Sequence, residues 1–160
     1  MYVAGVDVGS VAAKAVVLEH AGGELPRVAG RAVLPTGWNT AEAGELALQK
    51  ACAEAAVERE ALSRITATGY GRVALPFAHK TITEISCHAR GAAHLFPRAG
   101  IVLDIGGQDS KVISLETGQG TAFRKPGAVR DFMMNDKCAA GTGRFLQVLS
   151  GILNMKASTS

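Results

Sequence analysis

Aromatic side chains make up only 5% of the 160 residues, and the net charge of +3 is spread along the chain rather than gathered in one patch. Proteins that bind nucleic acid need a basic groove or stripe, and for single strands also aromatic platforms on which bases stack. Neither footprint is present, so nucleic acid is set aside. No apolar stretch approaches the roughly 18 residues that a membrane-spanning helix requires. Met1 leads directly into the apolar run Tyr2 to Val8, without the basic segment and cleavage site of a secretory leader. The expectation is a cytoplasmic, globular protein. Its three cysteines, an odd number with no secretory signal, argue for reduced thiols or metal ligands rather than a disulfide framework.

What the chain does have is 48% hydrophobic residues, enough for a core in one domain or two small ones, and an internal repeat. A shift of 97 positions lays Asp104-Ile-Gly-Gly-Gln-Asp-Ser-Lys111 on Asp7-Val-Gly-Ser-Val-Ala-Ala-Lys14. Asp104 falls on Asp7, Gly106 on Gly9, Lys111 on Lys14, Leu115 on Leu18 and Glu116 on Glu19, with apolar residues matching apolar ones between them. Each copy reads as an apolar strand ending in Asp, a glycine turn and a second apolar strand, hence a hairpin with Asp and Gly at its bend. Glycines at Gly9, Gly106 and Gly107 let backbone N–H groups approach an anion such as a phosphate. A carboxylate beside a phosphate is repulsive unless a cation lies between them, so Asp7 and Asp104 point to Mg2+ reached through its water shell. Two such bends facing each other would form a symmetrical clamp. The plainer alternative is a pair of ordinary hairpins, since Asp-x-Gly is common in turns.

In chain order, Tyr2 to Glu19 form the first hairpin and Arg27 to Leu34 a third strand ending at Pro35. From Thr40 to Leu62 the apolar positions Leu46, Leu48, Ala51, Ala55 and Leu62 recur at helical spacing, with Asn39 as cap and Cys52 as a small core residue. Ile65 to Thr68 reads as a fourth strand running into the glycine-bounded loop Gly69 to Arg72. Thr81-Ile-Thr-Glu84 matches a capping box opening a helix through Cys87 and His88 to about Phe96. Cys87 and His88 are neighbours about 100° apart on that helix, a poor arrangement for one metal, and Cys87 reads as core. His20, His79 and His94 are given no role.

Pro97 to Gly100 interrupts the pattern, which sets the boundary between a first subdomain, 1–98, and a second, 99–160. The second half gives strands Ile101 to Ile105 and Lys111 to Glu116, a turn at Thr117 to Gly120 and a third strand around Thr121 to Arg124. A basic, proline-containing loop, Arg124 to Arg130, then leads to Met134-Asn-Asp-Lys-Cys-Ala-Ala-Gly-Thr-Gly-Arg144 and a helix with Thr142 as cap. Cys138 thus lies in a polar, glycine-rich approach to a helix amino terminus, where the dipole favours a thiolate. Lys14 and Lys111 lie inside strands, where a lysine can simply reach solvent.

Assembled, the chain resembles the ATPase activators of 2-hydroxyacyl-CoA dehydratases and the related ATPase subunits of benzoyl-CoA reductase. The segments that carry the resemblance are Asp7 to Lys14, Ala67-Thr-Gly-Tyr-Gly-Arg72, Glu84-Ile-Ser-Cys-His-Ala89 with Asp104 to Asp109, and Asn135 to Arg144. The resemblance implies an α/β chain with the duplicated, actin-like (ribonuclease H-like) ATPase fold, its first half complete and its second truncated after one helix. It implies a homodimer holding one [4Fe-4S] cluster, with ATP hydrolysis driving a low-potential electron from a ferredoxin or flavodoxin into a dehydratase or reductase partner. On this chain Asp7, Gly9, Ser10 and Lys14 would be the first phosphate loop and Asp104, Gly106, Gly107 and Gln108 the second. Asp7 and Asp104 would act on Mg2+ and the reacting phosphate, and Cys138 would be a cluster ligand. The family's second cluster cysteine and its adenosine segment have no counterpart, so the expectation is an amino-terminal fragment. Two other classes remain open: a sugar or acetate phosphotransferase of the same fold, which has no use for Cys138 in that setting, and an inactive nucleotide-binding fragment.

Overall fold

The computed structural model describes residues 1–22, 25–116 and 127–136. The chain divides into two compact units, Met1–Glu84 and Ile85–Ser160.

In the first unit β1 (Tyr2–Val8), β2 (Ala12–Glu19) and β3 (Arg27–Pro35) form the expected antiparallel meander. Strands β4 (Leu62–Thr68) and β5 (Lys80–Thr81) extend it on the other side of β1, so the sheet order is β3-β2-β1-β4-β5, with β4 parallel to β1. Alternation explains which face is inside: Ala4, Val6 and Val8 of β1 and Ala13, Ala15 and Val17 of β2 are all buried. Onto this group packs helix α1 (Thr40–Ala55) through Ala43, Ala47, Leu48, Ala51 and Cys52. Alanine on both sides brings helix and sheet close. Gly30 of β3 marks the limit, since a Cβ there would collide with the backbone of Ala51 and Ala55.

Asn39 caps α1 as expected, its side chain accepting from the Glu42 amide at 3.2 Å. The helix ends earlier than its periodicity suggests. Ala56 turns left-handed at φ 53° and a short 3-10 turn, Arg59–Ala61, follows. Leu62 then opens β4 opposite Tyr2, so its burial belongs to the sheet and not to the helix. Leu46 is a second correction, being on the outer face and 42% exposed. The capping box also fails: Thr81 is a strand residue paired with Ala67, and helix α2 (Glu84–Leu95) begins three residues later.

The second unit repeats the meander as β6 (Ile101–Ile105), β7 (Ser110–Leu115) and β8 (Val129–Asn135), in the order β6-β7-β8. The strand expected at 121–124 lies outside the described residues. The third strand found is Val129–Asn135, which overlaps the end of the expected loop and pairs in register with β7. Its exposed residues lack clear alternation, which hid it. Ala89 of α2 is buried with Ile113 and Leu115, and Ile85 and Ala93 pack on the same group. That packing puts most of α2 in the second unit, whereas the sequence boundary was set at the Pro97 to Gly100 break.

Candidate functional site

The two hairpins named by the repeat have the same turn. In the first, Asp7 stands opposite Lys14 and Val8 opposite Ala13, and the Gly9 amide donates to the Ala12 carbonyl at 3.0 Å. In the second, Asp104 stands opposite Lys111 and Ile105 opposite Ser110, and the Gly106 amide donates to the Asp109 carbonyl at 2.8 Å. The chain therefore builds one local device twice, a glycine turn flanked by an Asp and a Lys on facing strand ends. Gly9 and Ser10 lie in the bend that follows Asp7, with Lys14 on the facing strand, and Gly106, Gly107 and Gln108 lie in the bend that follows Asp104.

At the first turn Lys14 Nζ donates to Asp7 Oδ2 at 2.9 Å, with 48% of the lysine side chain and 23% of the aspartate exposed. Thr36, buried at the end of the meander, donates its hydroxyl to the Gly9 carbonyl at 2.7 Å and its amide to the Val11 carbonyl. The turn is thus fixed from β3. From the other side Gly69, at φ 84° and ψ 179°, lies so close that a Cβ would collide with the Asp7 carboxylate and the Val8 carbonyl. Its carbonyl accepts from Arg72 Nη1 at 2.9 Å, and Arg72 lies 4.0 Å from Glu84. Thr68, opposite Asp7 on β4, has a buried hydroxyl without a partner among the described residues.

The second turn is more crowded. Lys111 is buried, and Nζ lies 2.6 Å from Asp109 Oδ1 and 3.5 Å from Asp104 Oδ2. This corrects the expectation that a lysine here reaches solvent: two carboxylates hold it inside. His88, from α2, brings Nδ1 to 2.9 Å from Asp104 Oδ2. The hydrogen bond from His88, aided by the charges of His88 and Lys111, outweighs the partial burial of Asp104 and holds its carboxyl below the ordinary carboxylate range.

Sequence reasoning found Asp7, Lys14, Asp104 and the glycines, because the repeat marks them. It missed His88, Thr36 and Asp109. Asp109 had a signal, being the carboxylate that replaces Ala12 of the first copy. His88 lies in the segment Glu84 to Ala89 that carries part of the resemblance, but no spacing links it to Asp104, 16 residues away. His79, given no role, accepts the Ile65 amide on Nδ1 at 3.0 Å, a structural bond. Cys52 is buried among α1 and the sheet, and burial pushes its thiol up, which suits the core role read for it. Cys87 is only half-buried. Cys138 lies outside the described residues.

Comparison with known proteins gives the family of the chain. The activator of lactoyl-CoA dehydratase from Anaerotignum propionicum is 43% identical over 154 residues, covering 96% of this chain and 54% of that protein. The solved structure of the activator of the 2-hydroxyisocaproyl-CoA dehydratase from Clostridium difficile with bound ADPNP superimposes with a TM-score of 0.83 at 38% identity, over 98% of this chain and 53% of that one. A Ppx/GppA phosphatase of Aquifex aeolicus matches at TM-score 0.52 over 96% of this chain and 61% of that one, a likeness of fold alone at 14% identity. The fold is the actin-like ATPase fold expected from the sequence. The chain spans about half the length of the curated relatives it matches. Residues 4–160 match the BadF/BadG/BcrA/BcrD ATPase family, and the chain belongs to that family.

Proposed function

We propose that this chain carries the phosphate-binding turns of an ATP-hydrolysing activator that feeds a low-potential electron to a 2-hydroxyacyl-CoA dehydratase or a benzoyl-CoA reductase type partner. The observation that supports it is the duplicated Asp–Lys glycine turn in a chain of this family. In this reading Gly9, Ser10 and Lys14 bind phosphate at the first turn and Gly106, Gly107 and Gln108 at the second. Asp7 and Asp104 each offer one carboxylate already paired with a cation. Such a donor suits a hydrated Mg2+ touched through water better than direct chelation. Bound there, the ion would neutralise phosphate charge as the terminal phosphoryl group is transferred to water.

The same reading makes the protein a cytoplasmic homodimer with an electron donor such as ferredoxin or flavodoxin, and makes Cys138 a ligand of a shared [4Fe-4S] cluster. Four thiolates are needed for a cubane, so one cysteine per chain leaves two to be supplied from elsewhere. Four variants of the full-length gene product test the proposal. Asp7→Ala and Asp104→Ala should each suppress MgATP turnover, and retention of most activity in either rejects its role in the clamp. After anaerobic reconstitution, iron–thiolate absorption should vanish in Cys138→Ser and survive in Cys52→Ser. A cluster that persists in Cys138→Ser overturns the ligand assignment and favours a phosphotransferase of the same fold.

A further inference from the structure

We infer that His88 is the positioning residue of the Asp104 carboxylate, doing at the second turn what Lys14 does at the first; this rests on the reading of the two turns as ATP phosphate loops. The two hairpins share register and turn hydrogen bond, yet the carboxylates are held differently. At the first turn the cross-strand lysine takes Asp7 directly at 2.9 Å. At the second, Asp109 stands where the first copy has Ala12 and draws the cross-strand lysine away, to 2.6 Å from itself and 3.5 Å from Asp104. Asp104 Oδ2 then meets His88 Nδ1 at 2.9 Å instead. A ring nitrogen on a packed helix is a stiffer partner than an ammonium on a four-carbon stem. Ala89, next to His88, is fully buried on the second sheet and anchors the helix at that point. The carboxylate most constrained in direction is thus Asp104, and its constraint comes from outside its own hairpin.

The test uses the full-length gene product and reads steady-state ATP hydrolysis together with ATP affinity by calorimetry. Loss of a supporting hydrogen bond of this kind costs on the order of 10- to 100-fold in activity. His88→Ala should lower kcat by about that factor while leaving the KM and the affinity for ATP within about twofold, because orientation and not binding is lost. His88→Asn offers an amide nitrogen near the place of Nδ1 and should recover most of the loss. Removing the competing carboxylate should recover part of it too, so His88→Ala/Asp109→Ala should be faster than His88→Ala. If Asp104→Ala is inactive while His88→Ala keeps the wild-type kcat, this inference is overturned and the phosphate-loop reading stands. The inference also falls if neither His88→Asn nor the double variant recovers activity. If Asp104→Ala itself turns over normally, the phosphate-loop reading has failed and His88 has nothing to position.

Discussion

At the first turn Asp7 meets one partner, Lys14, whose side chain is 48% exposed; at the second Asp104 meets two, His88 and a lysine side chain that is only 4% exposed. The backbones are the same, down to the glycine amide that closes each bend. What differs is who supplies the counter-charge. The first turn uses a partner from its own hairpin, in contact with water, and is braced by the hydroxyl and amide of Thr36 and by the close approach of Gly69. The second uses a side chain from another element and encloses its lysine between two carboxylates. The two turns share their backbone geometry and differ in the side chains that hold the aspartate.

The largest test of this contrast removes the carboxylates. Asp104→Ala should reduce ATP turnover by on the order of 10²- to 10³-fold, the range for losing one group that organises the charge of the transition state. Asp7→Ala should also suppress turnover strongly, but by less. The order Asp7 above Asp104 in a kinetic assay would break the comparison. Next in size is the lysine pair. Lys111→Ala leaves two carboxylates facing each other in a partly buried site and should cost about 3 kcal/mol, the low end of the range for breaking a buried pair. Lys14→Ala removes an exposed pair and should cost under about 1 kcal/mol. Urea midpoints for the two variants sharpen the contrast, and equal values would remove it.

Gly69→Ala should be intermediate, at about 2 kcal/mol, because it forces an alanine into a backbone region that only glycine visits readily and drives a methyl onto Asp7 and Val8. Its effect should appear as loss of both stability and nucleotide affinity, confined to the first turn.

The smallest expected effect is in pH dependence. The folded-state pKa of Asp104 lies below its unfolded value, held there first by the His88 hydrogen bond. The stability it contributes is therefore fully present above the ordinary carboxylate range, near pH 4. It is lost as pH falls through the depressed folded value. His88→Ala should flatten that acid limb of a denaturation series, and an unchanged limb would show that another group carries it.

Among the described residues no helix is long and apolar enough to cross a membrane. Much of the architecture was legible because it is local. Strand alternation in Tyr2–Val8 and Ala12–Glu19, the Asn39 cap and the turn glycines depend on residues a few positions apart, and the repeat doubled their signal. The end of α1 was less legible, because Leu62 continues the helical spacing while its partner is Tyr2, sixty positions away. Strand β8 was displaced for a similar reason: its position is set by register with β7, and its own residues carry little pattern.

By itself the sequence determined that the chain holds one turn device twice, with Asp, Gly and Lys at fixed places, because hairpin register follows from turn length and side-chain alternation. Only the tertiary structure decided which charges meet there. The burial of Lys111, the approach of His88 to Asp104 and the pressure of Gly69 on Asp7 depend on helices and strands packed from elsewhere in the chain. No local spacing encodes those distances.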